Sequence, residues 1–291
     1  MRVRRPVVRY LGGKFRLARW IVDQFPPHRI YVEPFGGAAS VLMQKPRSAA
    51  EVYNDLSKDL VRVFRVLRDP ALAAQLVRQV ELTPFARAEF DLAYHAVADP
   101  VEHARRVIFR SFAGFGSGAA TAKHASGMRT RSSSHCSPTG FRADSRRSGS
   151  TPAGDWRTYP EAIAGFVERL RGVVLECRPA AQVIAAHDRA DALFYVDPPY
   201  LHSTRGDIRK SHSSRYQHEM SDDMHEALLL QLLGLRGMAV LSAYAHPLYD
   251  DTLGRAGWTR REKASRADGG RARTEVLWLN PHAIAEEARA R

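Results

Sequence analysis

The chain has 291 residues, enough for a large core with a second, smaller domain. Its hydrophobic content of 44% and charged content of 26% are those of an ordinary globular protein, and no stretch approaches the length of a membrane span. Its net charge of +13 is not ordinary: it fits either an Arg-rich proteome or a polyanionic partner, nucleic acid before acidic membrane.

Two cysteines, Cys136 and Cys177, make no disulfide framework and suit a reducing cytoplasm. Cys136 stands beside His135 without a CxxC or HxxxH pattern, so no metal is expected. The basic N-terminus lacks a following apolar run, so no signal peptide is expected.

Residues 1–9 read as a basic lead-in. Tyr10-Leu11-Gly12-Gly13-Lys14 reads as a turn opening a helix, with Leu17, Trp20, Ile21 and Phe25 at helical spacing and Pro26-Pro27 as its stop. Ile30 to Glu33 is a short strand. Pro34-Phe35-Gly36-Gly37-Ala38-Ala39 is a small-residue turn into an expected helix around Ser40 to Gln44. Glu51 to Asn54 is a second strand, ended by Asp55. Ser57 can cap the next helix, which reaches Leu67 before Asp69-Pro70, and two or three more helices fit residues 71–112. Alternating strands and helices of this kind predict a parallel sheet.

Residues 113–157 are rich in Gly, Ser and Arg and lack apolar periodicity. They fit a solvated loop, or a loop that orders on a phosphate backbone; the two readings are compatible. Helices and strands then resume: a helix over 160–171, a strand over 173–177, a helix over 180–187 and a strand over 193–197. A polar loop covers 201–220. A helix over 221–235 carries Asp222 and Asp223 at its positive end. A strand over 239–243, a helix over 248–255 and a final strand over 274–279 follow, the last pairing antiparallel with 239–243. Trp20 and Trp278 read as core, and His218 and His225 as surface helix or loop residues, a role near a nucleic-acid base being the other reading.

Two stretches carry chemistry. Glu33-Pro34-Phe35-Gly36-Gly37 ends a strand and opens a turn in which glycines admit a ligand to the backbone, though small residues there also serve packing. Asp55 follows Glu33 by 22 positions, where a carboxylate can bind ribose hydroxyls or simply close an Asn-Asp turn. The other stretch is Asp197-Pro198-Pro199-Tyr200, after the apolar run Leu193-Phe194-Tyr195-Val196. Two prolines make a stiff turn that presents a carboxylate, a carbonyl and a ring to one point. Such acceptors suit an amino group, and such a ring suits a flat heterocycle.

In this order, Tyr10-Leu11-Gly12-Gly13-Lys14, Glu33-Pro34-Phe35-Gly36-Gly37, Asn54-Asp55 and Asp197-Pro198-Pro199-Tyr200 resemble the Dam-type, alpha-group DNA adenine methyltransferases. Tyr216-Gln217-His218-Glu219-Met220, Leu241-Ser242-Ala243-Tyr244 and Thr274-Glu275-Val276-Leu277-Trp278 are similar to later segments of the phage-like members. The resemblance covers most of residues 8–280, with 113–157 divergent. It implies an α/β, Rossmann-like methyltransferase sheet with a mostly helical, basic target-recognition insertion. Residues 1–70 and 158–291 would be the two parts of the methyltransferase domain and 71–157 the insertion.

The resemblance also implies S-adenosylmethionine as cofactor and methyl transfer to the exocyclic amine of adenine in flipped-out bases of duplex DNA. The cytosine amine, or a catalytically silent DNA-binding protein of the same fold, are the alternatives. Tyr10, Lys14, Glu33, Pro34, Phe35, Gly36, Gly37, Asp55 and Asp197 would line the cofactor. Asp197, Pro198, Pro199 and Tyr200 would form the catalytic turn. Arg129, Arg131, Arg142, Arg146 and Arg147 would contact DNA, with ordinary solvation the other reading for Arg142. No nuclease motif accompanies the pattern, so a stand-alone methyltransferase is expected, with or without a restriction partner. It would be bacterial or phage-encoded, cytoplasmic and nucleoid-associated, with no membrane and no obligate protein partner. Two positions depart from the pattern. Ala39 stands where a glycine is common. Arg178-Pro179-Ala180 stands where an acid commonly reaches the cofactor's adenine, a place that Asp188 or a backbone group would fill.

Overall fold

The computed structural model describes residues 3–114, 117–120, 140–142, 151–204, 216–266 and 272–290. The chain divides into two compact units. One comprises Met1–Gly13, Ser57–Arg171 and Asp207–Gln217; the other comprises Lys14–Leu56, Gly172–Gly206 and His218–Arg291.

The second unit contains the whole sheet. Strands β1 (Ile30–Glu33), β2 (Ala50–Asn54), β3 (Val173–Glu176), β4 (Ala192–Val196), β5 (Met238–Ala243), β6 (Thr259–Arg266) and β7 (Ala272–Leu279) stand in the order β3-β2-β1-β4-β5-β7-β6. The first five strands of that order are parallel, while β7 runs antiparallel to β5 and β6 antiparallel to β7. All five residues of β4 and all six of β5 are buried, which explains their unbroken apolar runs. This is the expected α/β, Rossmann-like sheet. The strand order reverses between β1 and β4, and ligands of open α/β sheets bind outside the carboxyl ends of the strands at such a point.

Among the described residues this unit holds five α-helices: α1 (Ala18–Val22), α8 (Ala180–His187), α9 (Asp222–Leu233), α10 (Pro247–Arg255) and α11 (Pro281–Arg289). Ser221 Oγ caps α9, accepting from Met224 N–H. Its core gathers Phe194, Leu228, Leu232, Tyr249 and Trp278, among others.

The first unit is helical. It holds α2 (Lys58–Arg68), α3 (Pro70–Leu82), α4 (Arg87–Leu92), α5 (Pro100–Ala113), α6 (Pro152–Arg157) and α7 (Tyr159–Leu170). Ser57, Asp69, Asp99 and Thr151 cap α2, α3, α5 and α6 through their side chains, and Pro follows the last three at the first helical position. Aromatic rings knit the unit together: Phe109 meets Trp156 edge-on at 4.8 Å, and Phe112 meets Tyr159 at 5.3 Å. Asp59 on α2 bonds His103 at 3.0 Å and Arg110 at 2.8 Å, both on α5.

Several expectations need correction. Residues 40–44 form turns rather than a helix. The left-handed Ala39 (φ 52°) precedes them and Pro46 follows, so a first turn has no room to propagate. The stretch 113–157 is not wholly irregular: Pro152–Arg157 is α6, and Ser117–Ala120 is a 3₁₀ turn. Phe141 forms a bridge with Gly114 and packs on Phe85 at 5.2 Å and Phe90 at 5.7 Å. Strand β6 and helix α11 went unread. His225 is fully buried, bonded through Nδ1 to the Tyr249 hydroxyl at 2.8 Å, and is not a surface residue. Trp278 is core as expected, whereas Trp20 is only half-buried, with the Lys263 ammonium 5.6 Å from its ring. No helix among the described residues is long and apolar enough to cross a membrane.

Candidate active site

The carboxyl ends of β1, β2 and β4 lie side by side in the sheet, and each ends in a motif singled out above. At β1, the buried Glu33 turns its Oε1 back to accept from the Tyr31 hydroxyl at 2.7 Å and from Leu42 N–H at 2.9 Å. It thereby closes the loop that Pro34, Phe35, Gly36 and Gly37 begin.

Hydrogen bonds tie that loop to β2 and to Asp55 just beyond it. Gly36 N–H donates to the Asn54 carbonyl (2.7 Å), Gly37 N–H to Asp55 Oδ2 (2.8 Å), and the Tyr53 hydroxyl to the Gly37 carbonyl (2.7 Å). A Cβ at Gly36 would lie 2.2 Å from the Tyr53 ring, and Gly37 adopts a φ of 49°, so each glycine answers a steric demand. Ala39 meets a similar demand without being glycine. A left-handed alanine costs about 1–2 kcal/mol, which the surrounding bonds offset. The half-buried Asp55 thus lies against the turn.

Asn54 locks the neighbouring strand ends. Its Nδ2 donates to the carbonyls of Pro34 (2.8 Å) and Arg178 (2.9 Å), and its Oδ1 accepts from Arg178 N–H (2.9 Å). The Arg178 backbone is therefore committed to Asn54. Asp188 does not fill the position of the missing acid. It sits at the C-terminal end of α8 and accepts from the backbone N–H groups of Arg236 and Gly237, each at 3.0 Å.

At β4, Asp197 follows the strand directly. Its Oδ1 lies 2.8 Å from Lys14 Nζ, and their side chains are 16% and 6% exposed. Pro198 is buried and Pro199 half-buried. Tyr200 is buried; its hydroxyl donates to Glu275 Oε1, and the Lys14 ammonium lies 4.6 Å from its ring centroid. Tyr244 packs edge-on against Tyr200 at 4.7 Å. Glu275 on β7 is buried and also accepts from Ser242 Oγ on β5 at 2.7 Å, while its Oε1 lies 3.8 Å from Lys14 Nζ. Burial raises the Asp197 carboxyl to about 6; Lys14 pulls it down and Glu275 pushes it up.

Lys14, Glu33, Pro34, Phe35, Gly36, Gly37, Asp55, Asp197, Pro198, Pro199 and Tyr200 thus belong to one unit and cluster at its strand ends. Tyr10 belongs to the helical unit, where its carbonyl accepts from Gly13 N–H at 3.1 Å. Arg142, also in the helical unit, donates its backbone N–H to the Ala113 carbonyl at the end of α5 (2.7 Å). Arg129, Arg131, Arg146 and Arg147 lie outside the described residues.

Sequence reasoning missed Ser242 and Glu275 as partners of the tetrapeptide. A glutamate facing inward within an otherwise apolar strand was the available signal. It also missed the pairing of Lys14 with Asp197, which no local pattern carries.

No curated protein matches the chain. Residues 10–97, which include the Gly-Gly-Lys turn, the β1 loop and Asp55 but not Asp197, match the model of the D12 class N6 adenine-specific DNA methyltransferases. Residues 10–97 are thus similar to a family described as N6 adenine-specific DNA methyltransferases, which is consistent with the Dam-type resemblance.

Proposed function

We propose that the chain transfers a methyl group from S-adenosylmethionine to the exocyclic amine of an adenine flipped out of duplex DNA. The observation that carries this reading is the Asp197 carboxylate, held by Lys14 at the switch point of the sheet beside the glycine loop of β1. When bound, the cofactor supplies an already activated methyl group, so no covalent enzyme intermediate is required.

The residues present suit such a cofactor. The β1 loop brings backbone close to the carboxyl ends of the strands, Asp55 offers a carboxylate for ribose hydroxyls, and the buried Ser40 Oγ has no hydrogen bond among the described residues. Glu33 to Gly37 and Asp55 would hold the nucleoside, and Lys14 the methionine end.

Asp197 and the Pro198 carbonyl would accept hydrogen bonds from the two N–H groups of the amine. An aromatic amine is a weak nucleophile because its lone pair is delocalised into the ring; hydrogen bonds at both protons favour a pyramidal nitrogen. Alignment then supplies much of the acceleration, and the Asp197 charge stabilises the developing ammonium. The Tyr200 ring would stack on the extruded base. Stacking of that kind is worth about 1–3 kcal/mol and offsets part of the few kcal/mol that flipping costs.

Mass analysis of nucleosides from DNA incubated with the protein and methyl-labelled cofactor tests the reading. N6-methyladenine is the expected product. N4-methylcytosine in its place, or intact DNA binding with no cofactor binding by calorimetry, overturns it. For the arginines, neutralising Arg129, Arg131, Arg146 and Arg147 together is expected to weaken DNA binding and flatten its salt slope by about 0.9 for each phosphate no longer neutralised. An unchanged slope returns them to solvent.

A further inference from the structure

Glu275 lies in the segment Thr274 to Trp278 and carries no site role above, yet it joins the tetrapeptide to the rest of the sheet. Strand β7 pairs antiparallel with β5, with Val276 opposite Ala243, so Glu275 arrives at the same end of the sheet at which β4 delivers Asp197. Its Oε1 takes the hydroxyls of Tyr200 and Ser242, and two carboxylates share the Lys14 ammonium, at 2.8 Å for Asp197 and 3.8 Å for Glu275.

We propose that Glu275 is a positioning residue for the methyl-transfer site: it orients the Tyr200 ring and the Lys14 ammonium around Asp197, and its charge keeps Asp197 from being wholly committed to Lys14. This rests on the reading of Asp197 as the acceptor of the target amine.

The geometric half follows from torsions. A tyrosine ring has two, and a bond from its hydroxyl to a buried acceptor restrains both. Tyr244 braces the same ring from the side. A stacking platform held in this way loses little freedom when a base arrives.

The electrostatic half follows from the shared cation. Alone against Lys14, a carboxylate is drawn to low pKa, and its lone pairs are occupied by the ammonium. A second carboxylate on the same ammonium opposes both effects. Asp197 is faced by Lys14 from the segment before α1, Tyr195 from β4, Tyr200 from its own turn, Glu275 from β7, Tyr244 beyond β5 and Tyr249 from α10. Of these, Glu275 is the like charge.

Two variants of the full chain test the proposal. Glu275→Gln keeps an oxygen for the Tyr200 and Ser242 hydroxyls but removes the charge; Glu275→Ala removes both. The first readout is the pH titration of the Asp197 carboxyl carbon by NMR in the free protein, its signal identified by its loss in Asp197→Asn. The second is the pH profile of single-turnover methylation of duplex DNA with S-adenosylmethionine.

Glu275→Gln is expected to lower the Asp197 midpoint and to move the acid limb of the rate profile with it. The single-turnover rate at saturating S-adenosylmethionine and DNA is expected to fall about tenfold in Glu275→Gln and about a hundredfold in Glu275→Ala, the range for groups that orient a reacting residue. An Asp197 midpoint unmoved in Glu275→Gln overturns the proposal. So does a wild-type rate in Glu275→Ala; should that variant unfold, Glu275→Gln decides alone. The NMR arm needs no turnover. A wild-type protein whose Asp197 titrates as expected but which leaves adenine unmethylated overturns the functional reading and not the coupling of Glu275 to Asp197.

Discussion

Two aspartates, one in each compact unit, show opposite uses of the same side chain. In the helical unit Asp59 accepts from His103 and Arg110, its side chain is 32% exposed, and those bonds lower its carboxyl to about 2. In the sheet unit Asp197 also has a cation at 2.8 Å, yet burial and the like charge of Glu275 raise it to about 6. An ion pair by itself therefore does not set the direction. Asp59 has two donors and access to water, whereas Asp197 shares one ammonium with a second acid in a drier place. The first arrangement contributes to stability. The second holds a carboxylate near the pH at which it would accept protons, and carries a stability cost of the kind found at functional sites.

The largest expected effect lies at Asp197. Asp197→Ala should reduce methyl transfer by at least about 10³-fold, the scale of losing a group aimed at developing charge, while cofactor binding persists. Turnover at the wild-type rate would refute the mechanism. Next comes the clip that shapes the strand ends. Asn54→Ala leaves the Pro34 carbonyl and both backbone groups of Arg178 without their partner, and should cost about 2–4 kcal/mol in denaturant unfolding. A loss below about 0.5 kcal/mol would mean that the strand ends hold themselves.

The two aspartates themselves should respond to neutralisation with opposite signs. The folded pKa of Asp59 lies below its unfolded value, so its contribution is present above about pH 4 and lost as pH falls toward 2. Asp59→Asn should accordingly cost about 1 kcal/mol at pH 7, discounted for its exposure, and little near pH 2. The folded pKa of Asp197 lies above its unfolded value, so its charge destabilises the fold above about pH 6 and not below about pH 4. Asp197→Asn should therefore gain about 1–2 kcal/mol at pH 8 and nothing at low pH. Unfolding midpoints across that pH range check both, and shifts of the same sign would erase the contrast. The smallest effect is expected at Ala39. Relief of its left-handed backbone by Ala39→Gly, less the added freedom of the unfolded chain, should yield a gain of about 0.5 kcal/mol. A loss on that substitution would show that the methyl group packs well enough to outweigh the strain.

Much of the fold was legible in local signals. Ser57 before α2, Ser221 before α9 and the apolar runs of β4 and β5 each carry their instruction within a few residues. The misses have particular causes. Strand β6 (Thr-Arg-Arg-Glu-Lys-Ala-Ser-Arg) is a charged strand at the sheet edge, so it lacks the alternation that marks a half-buried strand. Helix α11 carried a readable start, Asn280 followed by Pro281, with Asn280 Oδ1 accepting from both Ala239 N–H and Ala283 N–H at 2.9 Å. His225 was misread because a histidine beside acidic residues looks solvated, and only its burial against Tyr249 shows otherwise.

By itself the sequence determined the α/β class, the parallel order of strand and helix, the glycine turn after β1 and the stiff turn at Asp197. Each depends on backbone preference or apolar periodicity within about ten residues. Tertiary structure alone decided that Lys14 and Glu275, 183 residues before and 78 residues after Asp197, would meet it. It also decided that Asp188 would close a turn away from the site and that Asn54 would bind the ends of three strands. The physical reason is that a sheet brings strand ends together by its order and direction, here the switch at β1–β4 and the antiparallel return of β7. Neither is written in the residues whose side chains it brings into contact.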